Sequence, residues 1–325
     1  MIVQALRFCV VGAGAIGGTV AASLKIAGFP VSVLARPGAH LDALRAGGLT
    51  VRAADSSATV RLPVATDAGE LEPVDVVLVC VKAQDLPAVA TRVAPLAGDG
   101  VEVVVVANGV PWWVPSVTLP GGRTLTAVDP GGTLLRTWPA DRVLTGVAHL
   151  SAAVVEPGVI QRASGNQLLL GSPTGSRAEA AERIAAALTA SGLDVQARPE
   201  ILADVWIKLL GNLNLNPVSA LTGATVDVIL GDPLLRRLCA RIYDEGKQVG
   251  RALGIPIEMD AEERFEIASK LGAFRTSMLH DLDRGKPLEL DALVGAVTEL
   301  ATLLDVPAPA TETVLGLLKM RATTR

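Results

Sequence analysis

The sequence has few of the residues that build metal sites and disulfide frameworks. It contains three cysteines, Cys9, Cys80 and Cys239, and three histidines among 325 residues. The cysteines are scattered and odd in number, and no CxxC pair or other metal-type spacing occurs. We therefore expect reduced thiols, a cytoplasmic location and no metal ion.

The sequence also lacks a basic cluster and a long apolar run. The net charge is −4, and no group of basic residues is interleaved with aromatic ones, so we expect no binding to nucleic acid or to an anionic membrane. No apolar run reaches the roughly eighteen residues of a membrane span. The mostly apolar start is interrupted by glycines from Gly12 to Gly18, which argues against a signal peptide.

What the sequence has in abundance is hydrophobic residues, at 50%, with 19% charged, which is enough for packed cores. A length of 325 residues predicts two domains. In the first part, apolar runs that suit buried parallel strands alternate with helical patterns, which indicates a Rossmann-type, doubly wound α/β domain. The predicted strands are 6–11, 30–36, 74–82 and 101–109, and the helices are 15–27 and 85–98.

Further along, the pattern predicts short β runs over 143–171, some of them antiparallel, then a helix over 176–191 and a strand over 193–198. After Pro199 only helical patterns remain. We therefore predict an α/β domain over 1–197 and an all-helical domain over 198–325. The predicted helices are 200–216, 233–253 with Asp232 as N-cap, 260–273, 287–304 and 309–321.

The stretch GAGAIGG, residues 12–18, follows the first predicted strand and opens the first predicted helix. Gly12, Gly14 and Gly17 fit the G-x-G-x-x-G fingerprint, in which glycines allow a tight turn, the approach of a pyrophosphate and close helix packing. An ordinary glycine turn is the alternative, but the position favours a dinucleotide. The predicted cofactor-binding residues here are Gly12, Ala13, Gly14, Ala15, Ile16 and Gly17.

Arg36 bears on which dinucleotide binds. NAD-binding domains usually place Asp or Glu at the end of the second strand, about 20 residues after the glycines. Here Arg36 occupies that place, and no acidic residue follows until Asp42. Because an arginine suits a 2′-phosphate, the sequence favours NADPH over NADH, although a solvated surface arginine is the alternative.

The predicted helix around 204–216 carries an unusual polar stripe. Lys208, Asn212 and Asn216 stand at i, i+4 and i+8 and so share one face. Such a stripe suits a small oxygenated anion, and a solvated polar face is an equal alternative from spacing alone. Pro217 disfavours the helical conformation at Asn216, which predicts that the helix ends or kinks there.

Further polar residues occupy positions that suit a ligand. Asn108 and Lys82 follow predicted strands, and ligands of open α/β sheets bind beyond the carboxyl ends of strands. Asn108 could equally belong to a simple Asn-Gly turn. Ser277 and Glu289 lie in a polar segment, and Glu289 by itself fits a first-turn helix acid behind Pro287.

The motifs GAGAIGG, VCVKAQD, ANG, WIKLLGNLNLNPVSAL and RTSMLHDLDRGKPLELD occur in this order over nearly the whole chain. Together they closely resemble the ketopantoate reductase (2-dehydropantoate 2-reductase) family. That resemblance implies a Rossmann domain followed by an all-helical domain of the 6-phosphogluconate dehydrogenase C-terminal type. It also implies NADPH-dependent reduction of ketopantoate to (R)-pantoate, a step of pantothenate and coenzyme A synthesis.

The resemblance further implies roles for single residues. Lys208 matches the proton-donating lysine, and Glu289 matches a glutamate near nicotinamide and substrate. Lys82 matches a lysine beside the cofactor, where Asn108 also lies. The residues that match substrate-binding positions are Asn108, Asn212, Asn216 and Ser277.

Two departures from the family pattern concern the substrate. The stretch VPWWVPS follows ANG and places Trp112 and Trp113 either in the core or beside the pocket. Val294 stands where many relatives have asparagine. The substrate could therefore be another small 2-keto or β-keto acid. A non-catalytic NADP-binding sensor is the other alternative, and a homodimer is left open.

Overall fold

The computed structural model describes residues 6–324. The chain forms two compact units. The first contains the chain up to Ala107 and Leu134–Ile201, and the second contains Asn108–Thr133 and the chain from Leu202 onward. The division into functional domains at 197 and 198 stays a prediction.

The first unit is built on one mixed sheet of ten strands. Its central strands are parallel and buried on both faces, as their continuous apolar runs predict. The strands are β1 Phe8–Val11, β2 Val31–Leu34, β3 Leu49–Arg52, β4 Ser57–Val60, β5 Val64–Ala65, β6 Val76–Val79, β7 Glu102–Val106, β8 Val143–Glu156, β9 Val159–Gly171 and β10 Asp194–Ala197. Their order in the sheet is β4-β3-β9-β8-β7-β6-β1-β2-β5, with β10 beside β9.

Helices connect the parallel strands, which confirms the predicted α/β class. The helices of this unit are α1 Ala15–Ile26, α2 Ala39–Gly47, α3 Leu86–Val93 and α6 Ala178–Ala190. Two short helices lie between α3 and α6 along the chain. They are α4 Val114–Thr118, which belongs to the second unit, and α5 Thr133–Thr137, where the chain returns to the first. Instead of several short β runs, residues 143–171 form two long antiparallel strands that meet at a turn containing Gly158. Helix α2 and strands β3 to β5 had not been predicted.

The second unit is helical. Among the described residues no strand follows Ala197, which agrees with the prediction for the C-terminal part. Asp232 caps the helix Pro233–Ala252 as predicted, because its carboxylate accepts hydrogen bonds from the N–H groups of Leu234 and Leu235. The helices are α7 Ile201–Thr222, α8 Val226–Gly231, α9 Pro233–Ala252, α10 Ala261–Ser269, α11 Ser277–Asp283, a π-helical turn Asp291–Gly295, α12 Ala296–Leu303 and α13 Pro309–Thr323.

Three helices of the second unit differ from the sequence prediction by three residues or more at one end. The helix predicted over 260–273 ends at Ser269. Helix α7 does not end at Asn216 but continues through Pro217 to Thr222. Val218, Ser219 and Ala220 are almost completely buried, so packing outweighs the local cost of the proline. The helix predicted from 287 begins only at Leu290, where the buried face starts, and Glu289 therefore precedes it.

Among residues 6–324, no helix combines the length and apolar character that a membrane crossing needs.

Candidate active site

The glycine loop of the first unit has the geometry that its fingerprint predicts. Gly12 adopts a φ of 91°, and its N–H donates to the carbonyl of Leu34 at 2.9 Å. A Cβ on Gly17 would lie 2.1 Å from the carbonyl oxygen of Gly12, so helix α1 packs against the loop at a distance only glycine permits. A Cβ on Gly14 would meet nothing within 4 Å.

The start of helix α1 can accept an anionic group. The N-cap is Gly14, which has no side chain to bond the first N–H groups, and the first turn contains no acidic residue. Backbone N–H groups at a helix N-terminus bind phosphate, and the helix dipole favours negative charge there. The loop from Gly12 to Gly17 therefore fits the pyrophosphate of a dinucleotide.

Arg36 and Lys82 lie at the same edge of the sheet as the glycine loop. Strands β2 and β6 flank β1 in parallel, and Val11 is in register with Leu34 and with Val79. The loops that follow these three residues therefore begin side by side. Arg36 is exposed and Lys82 is half-buried. These positions suit binding of the remaining parts of a dinucleotide.

Two further residues support this edge of the sheet, and the sequence pattern does not indicate them. His40 in α2 contacts both the glycine loop and the β8–β9 turn. The guanidinium of Arg92 donates to the carbonyls of Ala35 and Thr66, at 3.4 and 2.9 Å, and so fixes the chain just before Arg36. No local pattern indicates either role, because their partners are far away along the chain.

In the second unit, α7 presents its polar stripe away from its packing face. Trp206 donates a hydrogen bond from Nε1 to the carbonyl of Gly246 at 3.0 Å, and Leu210 and Leu213 approach the same glycine of α9. The stripe of Lys208, Asn212 and Asn216 lies on the other side of the helix. Lys208 and Asn212 are half-buried and Asn216 is 5% exposed, so the stripe is not a solvated surface.

Burial changes the acidity of Lys208. Desolvation lowers the pKa of its ammonium group from 10.5 to about 8, and the negative charge of Glu289 acts in the opposite direction. Glu289 therefore lies close enough to favour the protonated lysine. A lysine with a pKa near 8 can donate a proton at neutral pH, whereas an exposed lysine is a much weaker acid.

The segment with Asn108 is held beside the segment with Glu289. The N–H of Val110 donates to the carbonyl of Ala292 at 2.8 Å. Gly109 adopts a φ of 92°, and a Cβ there would lie 2.6 Å from the same carbonyl oxygen. This close approach brings half-buried Asn108 to the π-helical turn that directly follows Glu289 and Leu290.

Ser277 is the first residue of α11 and is exposed. Its neighbour Thr276 is the N-cap and accepts a hydrogen bond from the N–H of Leu279. The part of Ser277 in substrate binding stays a prediction. Trp112 and Trp113 are 2% and 0% exposed, so both belong to the interior, and Val294 is equally buried.

Comparison with known proteins gives a consistent result. Residues 8–175 match the family described as ketopantoate reductase PanE/ApbA, and residues 200–322 match its C-terminal domain. A curated 2-dehydropantoate 2-reductase of Mesorhizobium japonicum is 39% identical over 98% of this chain and 99% of its own length.

Solved structures agree. A protein of Ralstonia solanacearum MolK2, named as a candidate ketopantoate reductase, is 43% identical, covers 99% of both chains and superposes with a TM-score of 0.93. A D-mandelate dehydrogenase with NADH and anilino(oxo)acetate shares the fold at 19% identity, with a TM-score of 0.85 over 98% of both chains. The two family matches and the near full-length relatives lead to one assignment: this chain belongs to the ketopantoate reductase family of oxidoreductases.

Proposed function

We propose that this protein reduces 2-dehydropantoate (ketopantoate) to (R)-pantoate with NADPH, in the synthesis of pantothenate and coenzyme A. The observation that carries the proposal is the half-buried Lys208, whose pKa is lowered to about 8, on one helix face with Asn212 and Asn216. The relative from Mesorhizobium japonicum bears the name of this activity.

NADPH binds to the first unit in this proposal. The N–H groups of the glycine loop and the start of α1 hold the pyrophosphate, Arg36 pairs with the 2′-phosphate, and Lys82 lies beside the cofactor. The exposure of Arg36 and the absence of an acidic residue before Asp42 favour NADPH over NADH. When bound, NADPH supplies a hydride.

Lys208 supplies the proton in this scheme. As the C2 carbonyl of the keto acid is reduced, negative charge develops on its oxygen, and Lys208 donates a proton from Nζ to that oxygen. The product is the neutral hydroxyl group of pantoate, and the lysine is left neutral. The carboxylate of Glu289 raises the pKa of Lys208 against desolvation and thereby keeps the acid protonated.

In this proposal, four side chains with amide or hydroxyl groups orient the substrate for Lys208. Asn108, Asn212, Asn216 and Ser277 donate hydrogen bonds to the carboxylate and hydroxyl groups of the keto acid without adding a charge. An additional cation there would compete with Lys208 for the anion and lower its pKa further.

The test is oxidation of NADPH, followed by the loss of its absorbance, with ketopantoate and a panel of other 2-keto and β-keto acids at equal concentration. We expect kcat/KM for ketopantoate of about 10⁴ M⁻¹s⁻¹ or more, well above the other acids. The matched control is Lys208→Ala prepared in parallel. The proposal is contradicted if ketopantoate is not turned over, or if all acids of the panel are turned over at similar rates.

A second candidate is reduction of another small 2-keto or β-keto acid by the same mechanism. Trp112 and Trp113 are buried next to the segment of Asn108, and Val294 is buried on the π-helical turn, where the family resemblance leads one to expect asparagine. Turnover of an aromatic keto acid equal to that of ketopantoate favours this candidate. Binding of NADPH without turnover of any acid favours a sensor, for which Lys208 has no purpose.

We also propose that the protein acts in the cytoplasm. Its three cysteines are free thiols, and burial raises the pKa of Cys9 to about 11 and of Cys80 and Cys239 to about 12. Thiols with such raised pKa values stay protonated, and a reducing compartment keeps them from oxidation. A homodimer is compatible with this proposal, and sedimentation of the NADPH complex measures it.

A further inference from the structure

His40 joins the glycine loop to the turn between β8 and β9. Its Nε2 lies 2.8 Å from the carbonyl oxygen of Ala13, and its Nδ1 lies 3.1 Å from the backbone nitrogen of Gly158. A carbonyl can only accept and an amide N–H can only donate. Nε2 therefore carries the hydrogen and donates to Ala13, while Nδ1 accepts from Gly158. Both bonds together require the neutral imidazole in this tautomer.

Gly158, which donates to Nδ1 of His40, is itself held in place by a hydrogen bond and by packing. Gly158 is buried, and its carbonyl accepts a hydrogen bond from the N–H of Thr50 in β3 at 2.9 Å. Its φ is 80°, and a Cβ there would lie 3.1 Å from the Cβ of Ala43, one turn after His40 on α2. The turn is therefore packed against the helix that carries His40.

The bond to Ala13 fixes the direction of the next N–H group. A trans peptide is planar, and its C=O and N–H point in opposite directions. Because the carbonyl of Ala13 faces His40, the N–H of Gly14 faces away from it. Gly14 is the N-cap of α1, with no neighbour within 4 Å of a Cβ position.

We propose that His40 is a positioning residue for the cofactor: it holds the Ala13–Gly14 peptide so that the Gly14 N–H faces a bound pyrophosphate. This inference rests on the proposed binding of NADPH by the glycine loop. Without His40, this peptide loses its hydrogen bond to the imidazole and can rotate, because Gly14 has no side chain of its own to cap the start of α1. Rotation removes one N–H donor from the pyrophosphate and exposes a carbonyl oxygen to it.

Two variants separate the two hydrogen bonds of His40. In His40→Gln the side-chain amide reaches the position of Nε2 and can donate to Ala13, but it leaves Gly158 without its acceptor. In His40→Asn the amide oxygen replaces Nδ1 and accepts from Gly158, but it cannot reach Ala13. His280→Asn is the control, because His280 is exposed on α11 in the other unit.

The measurement is the Kd of NADPH by fluorescence titration, compared with adenosine 2′,5′-bisphosphate, which lacks the pyrophosphate. We expect His40→Asn to weaken NADPH about tenfold, which corresponds to the loss of one charge-assisted hydrogen bond. The Kd of the bisphosphate should change by less than about threefold in the same variant. His40→Gln should bind NADPH within about twofold of the wild type. With saturating NADPH, kcat of His40→Asn should approach that of the wild type.

Other results overturn the inference. Wild-type affinity in His40→Asn excludes a positioning role. Equal losses of both ligands in both variants, with a lowered Tm, show that His40 only stabilises the fold. A wild-type protein that does not bind NADPH overturns the proposed function itself. This outcome can be told apart from the others because the titration of the wild type alone reveals it.

Discussion

At the scale of single residues, the proposed chemistry depends on how strongly Lys208 is desolvated. Burial of the ammonium group and the opposing charge of Glu289 together leave the pKa of Lys208 near 8. One pKa unit is a factor of ten, so at pH 7 the protonated form outweighs the neutral form by roughly ten to one. The lysine is therefore mostly protonated at pH 7, and it is a stronger acid than an exposed lysine.

Replacement of Lys208 by alanine should abolish most of the activity. We expect kcat to fall by about 10² to 10⁴, the usual contribution of a positioned acid, while the Kd of NADPH stays within about twofold. Steady-state kinetics and a fluorescence titration measure the two quantities. Near-normal turnover would show that another group donates the proton.

The pH profile of the reaction should reflect the same lysine. Because the protonated form is the acid, kcat should fall as pH rises through about 8. Glu289→Gln removes the charge that raises the pKa of Lys208, so the falling limb should move to lower pH. The exposed Glu312→Gln is a matched control and should leave the limb in place. An unmoved limb in Glu289→Gln would contradict the coupling of the two groups.

Arg36 should decide between the two nicotinamide dinucleotides. Arg36→Asp replaces a cation at the end of β2 with a carboxylate that repels a 2′-phosphate and can bind ribose hydroxyls. We expect the ratio of NADPH to NADH affinity to fall by roughly tenfold or more. Arg45→Asp, an equal charge change at an exposed position of α2, is the control. If the ratio changes equally in both variants, Arg36 has no specific role.

The sequence could predict those features of the site that depend on local spacing. The period of an α-helix places Lys208, Asn212 and Asn216 on one face, and their burial agrees with a site rather than a solvated surface. The two hydrogen bonds of His40 could not be predicted, since its partners are 27 and 118 residues away. The contact of Gly109 with Ala292 was hidden for the same reason.

At the scale of elements, the junction of β1 and α1 contains glycines with different tasks. Gly17 is needed for packing, because its Cβ would lie 2.1 Å from a backbone oxygen. Gly14 has a φ of −69° and open space around it, so alanine fits the fold at this position. The two positions can therefore be separated by the same substitution.

Gly17→Ala should destabilise the protein, and Gly14→Ala should not. Overpacking of this kind costs about 1–3 kcal/mol of the free energy of unfolding. Gly14→Ala should keep the Tm of the wild type but weaken NADPH, because the added methyl group occupies the approach of the pyrophosphate. Thermal unfolding and a binding titration distinguish them. A stable Gly17→Ala variant would refute the packing argument.

Elements with a strong periodic pattern were predictable, and elements set by distant packing were not. The buried parallel strands and α9 with its Asp232 cap follow from apolar runs and capping chemistry. The passage of α7 through Pro217 depends on burial of the residues beyond it. The π-helical turn after Glu289 has no local signal in the sequence.

At the scale of the whole molecule, residues 108–133 belong with residues far along the chain. Both carboxylate oxygens of Glu299 on α12 accept hydrogen bonds, one from the N–H of Thr126 at 2.8 Å and the other from that of Ala127 at 2.9 Å. Together with the bond from Val110 to Ala292, these contacts make the segment part of the second unit. Each unit consists of two separate stretches of the chain, so no single division point in the sequence separates the units.

A fragment of residues 202–325 should therefore be unstable on its own. It lacks the N–H groups that bind Glu299, so that carboxylate and the apolar surface around Ala292 lose their partners. We expect weak, non-cooperative unfolding by circular dichroism. A chain that joins residues 108–133 to 202–325 through a glycine–serine linker should unfold cooperatively. Equal Tm values for the two chains would contradict this assignment of the segment.

The same arrangement affects how the protein is made. Residues 108–133 leave the ribosome long before Glu299, and synthesis of the chain between them takes roughly ten to thirty seconds. During this time the amides of Val110 and Thr126 lack their final partners, and Trp112 and Trp113, both buried in the finished protein, belong to an incomplete unit. The yield of folded protein in a cell should therefore depend on chaperones that bind nascent chains.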